Sequence, residues 1–128
     1  MSRTLTKLND LDVNVIILGP SPGAGFDVPR ALALADLNGI DRPAAVATSS
    51  VREVQMQVDV LISSVTNDLE NVSYVPVWDI FCPLESCALT IGNTSLYSDG
   101  GHLSGLGATE FLGPALIQRV NAALDLLK

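Results

Sequence analysis

The sequence predicts a layered α/β fold, and three stretches carry that expectation. Residues 13–18 (VNVIIL) are a β-branched apolar run bounded by Asp12 and by Gly19-Pro20, the pattern of a strand buried on both faces of a parallel sheet. Residues 50–67 carry apolar side chains at helical steps, and residues 72–81 (VSYVPVWDIF) return to a strand-like run. Strand, helix, strand in that order is the alternation of a layered α/β domain.

The elements follow in chain order. Residues 4–10 read as the tail of a helix. After the first strand, residues 19–27 (GPSPGAGFD) form a loop by composition. Asp27 can cap a following helix, Pro29 suits its first turn and Gly39 ends it, so that Leu32, Leu34 and Leu37 have a face to pack. Ser50-Val51-Arg52-Glu53 has the form of a capping box, and Val51, Val54, Val58, Leu61, Ile62 and Val65 make one apolar stripe behind it. That stripe reads as core packing rather than a coiled-coil seam, because it lasts barely two heptads. Pro76 pushes the strand at 72–81 toward an edge or an irregular start. Residues 88–91 and 95–97 flank Gly92-Asn93-Thr94 as a small hairpin. A last helix starts near Ser104 and runs toward Leu127, burying Phe111, Leu112, Leu116, Val120, Ala123, Leu124 and Leu127, with Pro114 as a kink or its true start.

The 128 residues make one domain, or part of one, and 48% hydrophobic residues exclude disorder for the bulk of the chain. Two long strands, a hairpin and three or four helices are few for a three-layer α/β domain, so strands are expected to be missing. Fourteen acidic against seven scattered basic residues, a net charge of −7, argue against nucleic acid and against an anionic membrane surface. No run of about 18 apolar residues is present to span a bilayer, and the first ten residues do not read as a signal peptide. With Cys82, Cys87 and one histidine, a four-ligand zinc site is excluded and no cofactor is expected.

Chemistry is sparse. Gly23-Ala24-Gly25 lacks the third glycine of a dinucleotide fingerprint, and no Gly-Lys-Ser/Thr follows it. It reads as a flexible connection, although the carboxyl end of a parallel strand is where α/β proteins place ligands. Asp99-Gly100-Gly101-His102 is sharper. The two glycines let the carboxylate bend back to one imidazole nitrogen, which fixes the tautomer and leaves the other nitrogen as a base. The plain alternative is a turn-capping aspartate beside a surface histidine. Cys82 or Cys87 could act as nucleophile with His102, or the two could form a disulfide in an oxidising compartment. No serine stands in a Gly-x-Ser-x-Gly or Gly-Asp-Ser turn; Ser50 reads as a cap, Ser63 and Ser64 as helix surface, and Ser21 alone remains as an outside candidate. Paired carboxylates for glycosidic chemistry would rest on Asp79 and Asp99 alone.

Taken together, residues 77–116 (VWDIFCPLESCALTIGNTSLYSDGGHLSGLGATEFLGPAL) resemble the carboxyl-terminal end of an SGNH (GDSL-like) domain, in the version fused to the acyltransferase-3 membrane domain of bacterial surface-polysaccharide O-acyltransferases. The carrying residues are Asp79, Cys82-Pro83, Cys87, Tyr97, Asp99, His102-Leu103-Ser104 and Gly107-Ala108. The stretch VNVIILGPSPGAGFDVPRAL is similar to that family's strand, Gly-Pro loop and helix start. The resemblance covers roughly residues 5–125 and implies a partial three-layer α/β/α, flavodoxin-like sheet with its amino-terminal strands missing.

It further implies that His102 and Asp99 are the base and acid of a Ser-His-Asp triad and that Cys82 and Cys87 form a disulfide in an extracytoplasmic domain on the periplasmic face. The expected partners are an acyl donor and a carbohydrate acceptor. The family's Gly-Asp-Ser turn and its oxyanion-hole glycine and asparagine have no match here, so the chain alone is expected to be inactive or nearly so. Two rival readings stand beside this one: a non-catalytic carbohydrate- or acyl-binding module, and a fragment that completes its sheet by pairing with a second copy.

Overall fold

A computed structural model describes residues 2–127. Its centre is a parallel pair of strands, β1 (Val15–Leu18) and β3 (Val72–Val75), in the register Val15↔Val72 to Leu18↔Val75. Helix α1 (Ser2–Asp10) packs against β1, α3 (Ser49–Thr66) against β3, and α5 (Gly113–Leu126) against both strands. The architecture is therefore α/β, with helices covering parallel strands. β1 is half-buried rather than enclosed, and Leu18 is exposed. The reason is topological: β1 has β3 on one edge, and among the described residues no strand lies on the other.

Helix α2 (Val28–Asn38) follows its sequence signals. The Asp27 carboxylate accepts the Arg30 amide proton at 2.9 Å, and Gly39 closes the helix in the left-handed conformation. The face it buries is Val28, Leu32 and Ala35, whereas Leu34 and Leu37 point to solvent.

Helix α3 departs from expectation at its start and in part of its face. It begins at Ser49 after Thr48, and no capping box forms. Thr48 is instead tied to the cysteine loop: its amide donates to the Glu85 carbonyl at 2.8 Å and its hydroxyl to the Leu84 carbonyl at 2.9 Å. That anchoring sets the helix start two residues early and leaves Ser50 inside the first turn. The inward stripe runs through buried Val51, Gln55 and Thr66 with Val58, Ile62 and Val65 half-buried, while Val54 and Leu61 are 61% and 65% exposed. One carboxylate fastens the helix to the sheet, since Asp59 accepts the Tyr74 hydroxyl at 2.6 Å and the Trp78 indole N–H at 2.9 Å. The Tyr74 phenol pKa is raised, by burial first and then by that bond to a carboxylate.

The run at 72–81 splits. β3 stops at Val75, and after Pro76 and Val77 the chain turns into the one-turn helix α4 (Trp78–Phe81). Proline has no amide for the ladder, so the strand cannot continue. Two short antiparallel pairs follow. β2 (Ala45–Ala47) pairs with β4 (Ser86–Ala88), which the sequence did not announce, and β5 (Thr90–Ile91) pairs with β6 (Thr94–Ser95) as the expected hairpin. The final helix runs on from a π-helical segment, Gly107–Leu112, into α5, and Pro114, which has no amide to donate to the preceding turn, stands just after the change from π to α. Of its expected face, Ala123 is buried, Phe111, Leu112, Leu116, Val120 and Leu127 are half-buried, and Leu124 is exposed.

The core gathers Val28, Leu32, Val77, Phe81, Leu89, Leu96 and Tyr97, with the Phe81 ring between those of Tyr97 and Phe111 at 6.2 and 5.1 Å. Among the described residues, no helix is long and apolar enough to cross a membrane.

Candidate functional site

The turn 98–102 stands directly on this core. Leu96 and Tyr97 enter it fully buried, and the chain is pinched shut below the turn, where Tyr97 bridges to Leu103 and the Ser98 amide donates to the His102 carbonyl at 2.9 Å. On the carboxyl side, the Ser104 hydroxyl accepts the Gly107 amide at 3.0 Å and donates to the Ser95 carbonyl at 2.9 Å. Ser104 thus starts the following helix and ties it back to the hairpin.

Within the turn, Asp99 uses both carboxylate oxygens. Oδ1 accepts the backbone amides of Gly101 at 2.7 Å and His102 at 2.8 Å, and Oδ2 lies 2.7 Å from the imidazole Nδ1 of His102. Three donors to one carboxylate hold its pKa down to about 2, the His102 amide being the largest cause, then the Gly101 amide, then the imidazole. An ionised carboxylate can only accept, so the proton of this contact belongs to Nδ1 and a neutral ring presents a bare Nε2. The His102 side chain is 86% exposed and that of Asp99 48%. Proton-accepting chemistry at Nε2 is therefore open to an incoming group.

The glycine-rich loop lies against this turn, which its composition did not reveal. Ala24 donates its amide to the Gly100 carbonyl at 2.8 Å, and Val28 donates to that of Asp99 at 3.4 Å. A side chain on Gly100 would meet the Phe26 carbonyl oxygen at 3.0 Å, so a Cβ there would press the loop away from the turn. Ser21 comes close as well, but its hydroxyl is directed to the Gly101 carbonyl at 3.3 Å and not to the imidazole. The Tyr97 hydroxyl, whose pKa burial pushes up to about 12, donates to the Pro22 carbonyl at 2.9 Å. No sequence signal marked this pairing of residues far apart in the chain.

The other candidates go elsewhere. Cys82 and Cys87 are joined in a disulfide, so neither offers a thiol. Asp79 forms a two-pronged ion pair with Arg119, at 2.6 and 2.9 Å, and the same guanidinium donates to the Pro76 carbonyl at 2.8 Å. That commitment between α4 and α5 removes Asp79 from a pair of catalytic carboxylates with Asp99. Ser63 and Ser64 lie on α3, and the Ser64 hydroxyl donates to its own helix at the Leu61 carbonyl. Among the described residues, no hydroxyl is hydrogen-bonded to Nε2 of His102.

The fold is shared with the periplasmic domain of a lipopolysaccharide acetyltransferase from Salmonella ser. Paratyphi A, with a TM-score of 0.67 and 19% sequence identity over 91% of this chain. The match takes in 47% of that solved chain, so the present sequence spans about half its length. No curated protein matches the chain by sequence. The family model of the SGNH domain fused to AT3 domains matches residues 1–118, nearly the whole sequence, and by that match the chain belongs to this family.

Proposed function

We propose that this chain supplies the acid–base half of an acyl-transfer site, with Asp99 and His102 completing a triad whose serine stands on a segment outside the sequence described. The observation that carries the reading is the 2.7 Å contact between Asp99 Oδ2 and His102 Nδ1 beside an Nε2 that is exposed and, among the described residues, without a hydrogen-bond partner. In such a site Nε2 takes the proton of the serine hydroxyl as its oxygen attacks the acyl carbonyl of the donor. The imidazolium, held by Asp99, returns that proton to the leaving group as the serine ester forms. The acceptor hydroxyl then gives its proton to Nε2 as it attacks the ester, and the serine is restored when the proton goes back to it.

The solved neighbour is described as the periplasmic domain of a lipopolysaccharide acetyltransferase. By extension the transferred group is acetyl, the acceptor a hydroxyl of a surface carbohydrate, and the compartment extracytoplasmic. The Cys82–Cys87 disulfide agrees with an oxidising compartment.

The test compares 1–128 alone with the same sequence joined behind a Gly-Asp-Ser-bearing segment of an SGNH domain, using p-nitrophenyl acetate. The chain alone is expected to show no hydrolysis that depends on His102, and the joined protein to lose about a thousandfold on His102→Ala. Hydrolysis by the chain alone that His102→Ala abolishes, or a joined protein indifferent to that change, would overturn the reading.

A second reading, completion of the sheet by a second copy, is favoured by the open edge of β1 and by exposed Val54, Met56, Val60 and Leu61 on α3. Sedimentation equilibrium decides it: a mass that stays monomeric as concentration rises would eliminate it.

A further inference from the structure

We propose that Tyr97 is a positioning residue for His102, acting through the loop at 21–28; the inference rests on the reading of Asp99 and His102 as an acid–base pair. Three successive carbonyls of the histidine turn are engaged by that one loop. Asp99 accepts from the Val28 amide at 3.4 Å, Gly100 from the Ala24 amide at 2.8 Å, and Gly101 from the Ser21 hydroxyl at 3.3 Å. In the loop Gly23, Gly25 and Phe26 are exposed, while Pro22, Ala24 and Val28 are buried. At its start, where Ser21 meets the turn, Pro22 is fully buried and its carbonyl receives the Tyr97 hydroxyl at 2.9 Å.

Tyr97 stands two residues before Asp99 and is locked by its bridge to Leu103 and its packing on Phe81. Backbone, hydroxyl, loop and turn therefore close a ring. The turn 99–101 can move only with the loop, and the loop is held by the burial of Pro22, Ala24 and Val28 together with the bond from Tyr97 to Pro22. An exposed imidazole has few contacts to orient it besides Asp99, so where Nε2 points is set by this ring. Without the hydroxyl the Pro22 carbonyl is left buried and unpaired, and the loop gains by shifting to reach water.

The experiment is NMR on the whole chain, reading imidazole nitrogen shifts together with exchange of the Ala24 amide. Wild type is expected to hold the Nδ1–H tautomer. In Tyr97→Phe, with circular dichroism unchanged, the Ala24 amide is expected to exchange about tenfold faster and the Nε2–H tautomer to gain population. A structural role alone would speed exchange throughout the core and leave the tautomer as it was, and that result overturns the proposal. Should Tyr97→Phe not fold, Gly100→Ala wedges the loop from the turn at the Phe26 carbonyl while keeping Tyr97; an unchanged tautomer there also overturns it. Asp99→Asn separates the two readings. If it leaves the tautomer untouched, there is no pair to position and both fall; if it shifts the tautomer while Tyr97→Phe and Gly100→Ala do not, only the role of Tyr97 falls.

Discussion

Asp59 and Tyr74 are joined by a 2.6 Å hydrogen bond that runs from the middle of a long helix to the centre of the parallel strand beside it. Because Trp78 shares the same carboxylate at 2.9 Å, Asp59→Ala leaves two half-buried donors without an acceptor. The expected loss is about 2 kcal/mol, read as a lower urea midpoint at unchanged slope. Asp59→Asn, which keeps one acceptor oxygen, is expected to lose less.

Reducing the Cys82–Cys87 bond opens a very short loop, and in the chain-entropy picture this destabilises by roughly 2 kcal/mol. The effect is expected to reach the start of the third helix, because Thr48 bonds to the Leu84 and Glu85 carbonyls inside that loop. Hydrogen exchange before and after dithiothreitol should show lost protection at the Thr48 amide; protection retained there would refute the coupling.

Gly107 touches the backbone of Leu96 so closely that a Cβ would fall well inside van der Waals contact with its carbonyl oxygen. Gly107→Ala is therefore expected to lose about 3 kcal/mol or more, as overpacking against backbone does. Thermal melting measures it. By contrast Gly101→Ala, with open space around the added carbon, should melt nearly as wild type.

Acid should loosen the histidine turn in a defined window. The folded pKa of Asp99, about 2, lies below its ordinary value of 3.8. Its contribution is thus fully present above pH 3.8 and is lost as pH falls toward 2. Amide shifts of Gly101 and His102 followed from about pH 4 downward should move together with a midpoint near 2. Movement centred near the ordinary value would show that the three-donor arrangement is not populated.

Much of this was legible where the signal is local. The Asp27 cap, the Gly39 stop and the bend of Asp99 onto His102 depend on residues within a few positions of one another and stand where the sequence placed them. The hairpin forms at the expected glycine with a turn one residue shorter, Thr94 joining β6. What escaped depends on distant partners. The capping box at Ser50 lost to Thr48 because the cysteine loop, not the local motif, anchors that helix. Val54 and Leu61 looked like core because the apolar pattern was counted without knowing which face meets the sheet, and Gln55 took the inward place instead. The pairing of β2 with β4 and the reach of Tyr97 to Pro22 join segments with no shared pattern.

The parallel pairing of residues 15–18 with 72–75 also sets the order in which the chain can assemble. The hairpin of β5 and β6 closes over two residues and can form on the microsecond scale. Val15 must instead find Val72 across two intervening helices, and the entropy of closing that span is lost before any ladder bond is gained. The histidine turn, which follows the hairpin directly, can therefore acquire its local shape early, whereas its seating against the glycine-rich loop must await the slow search that brings the first strand home.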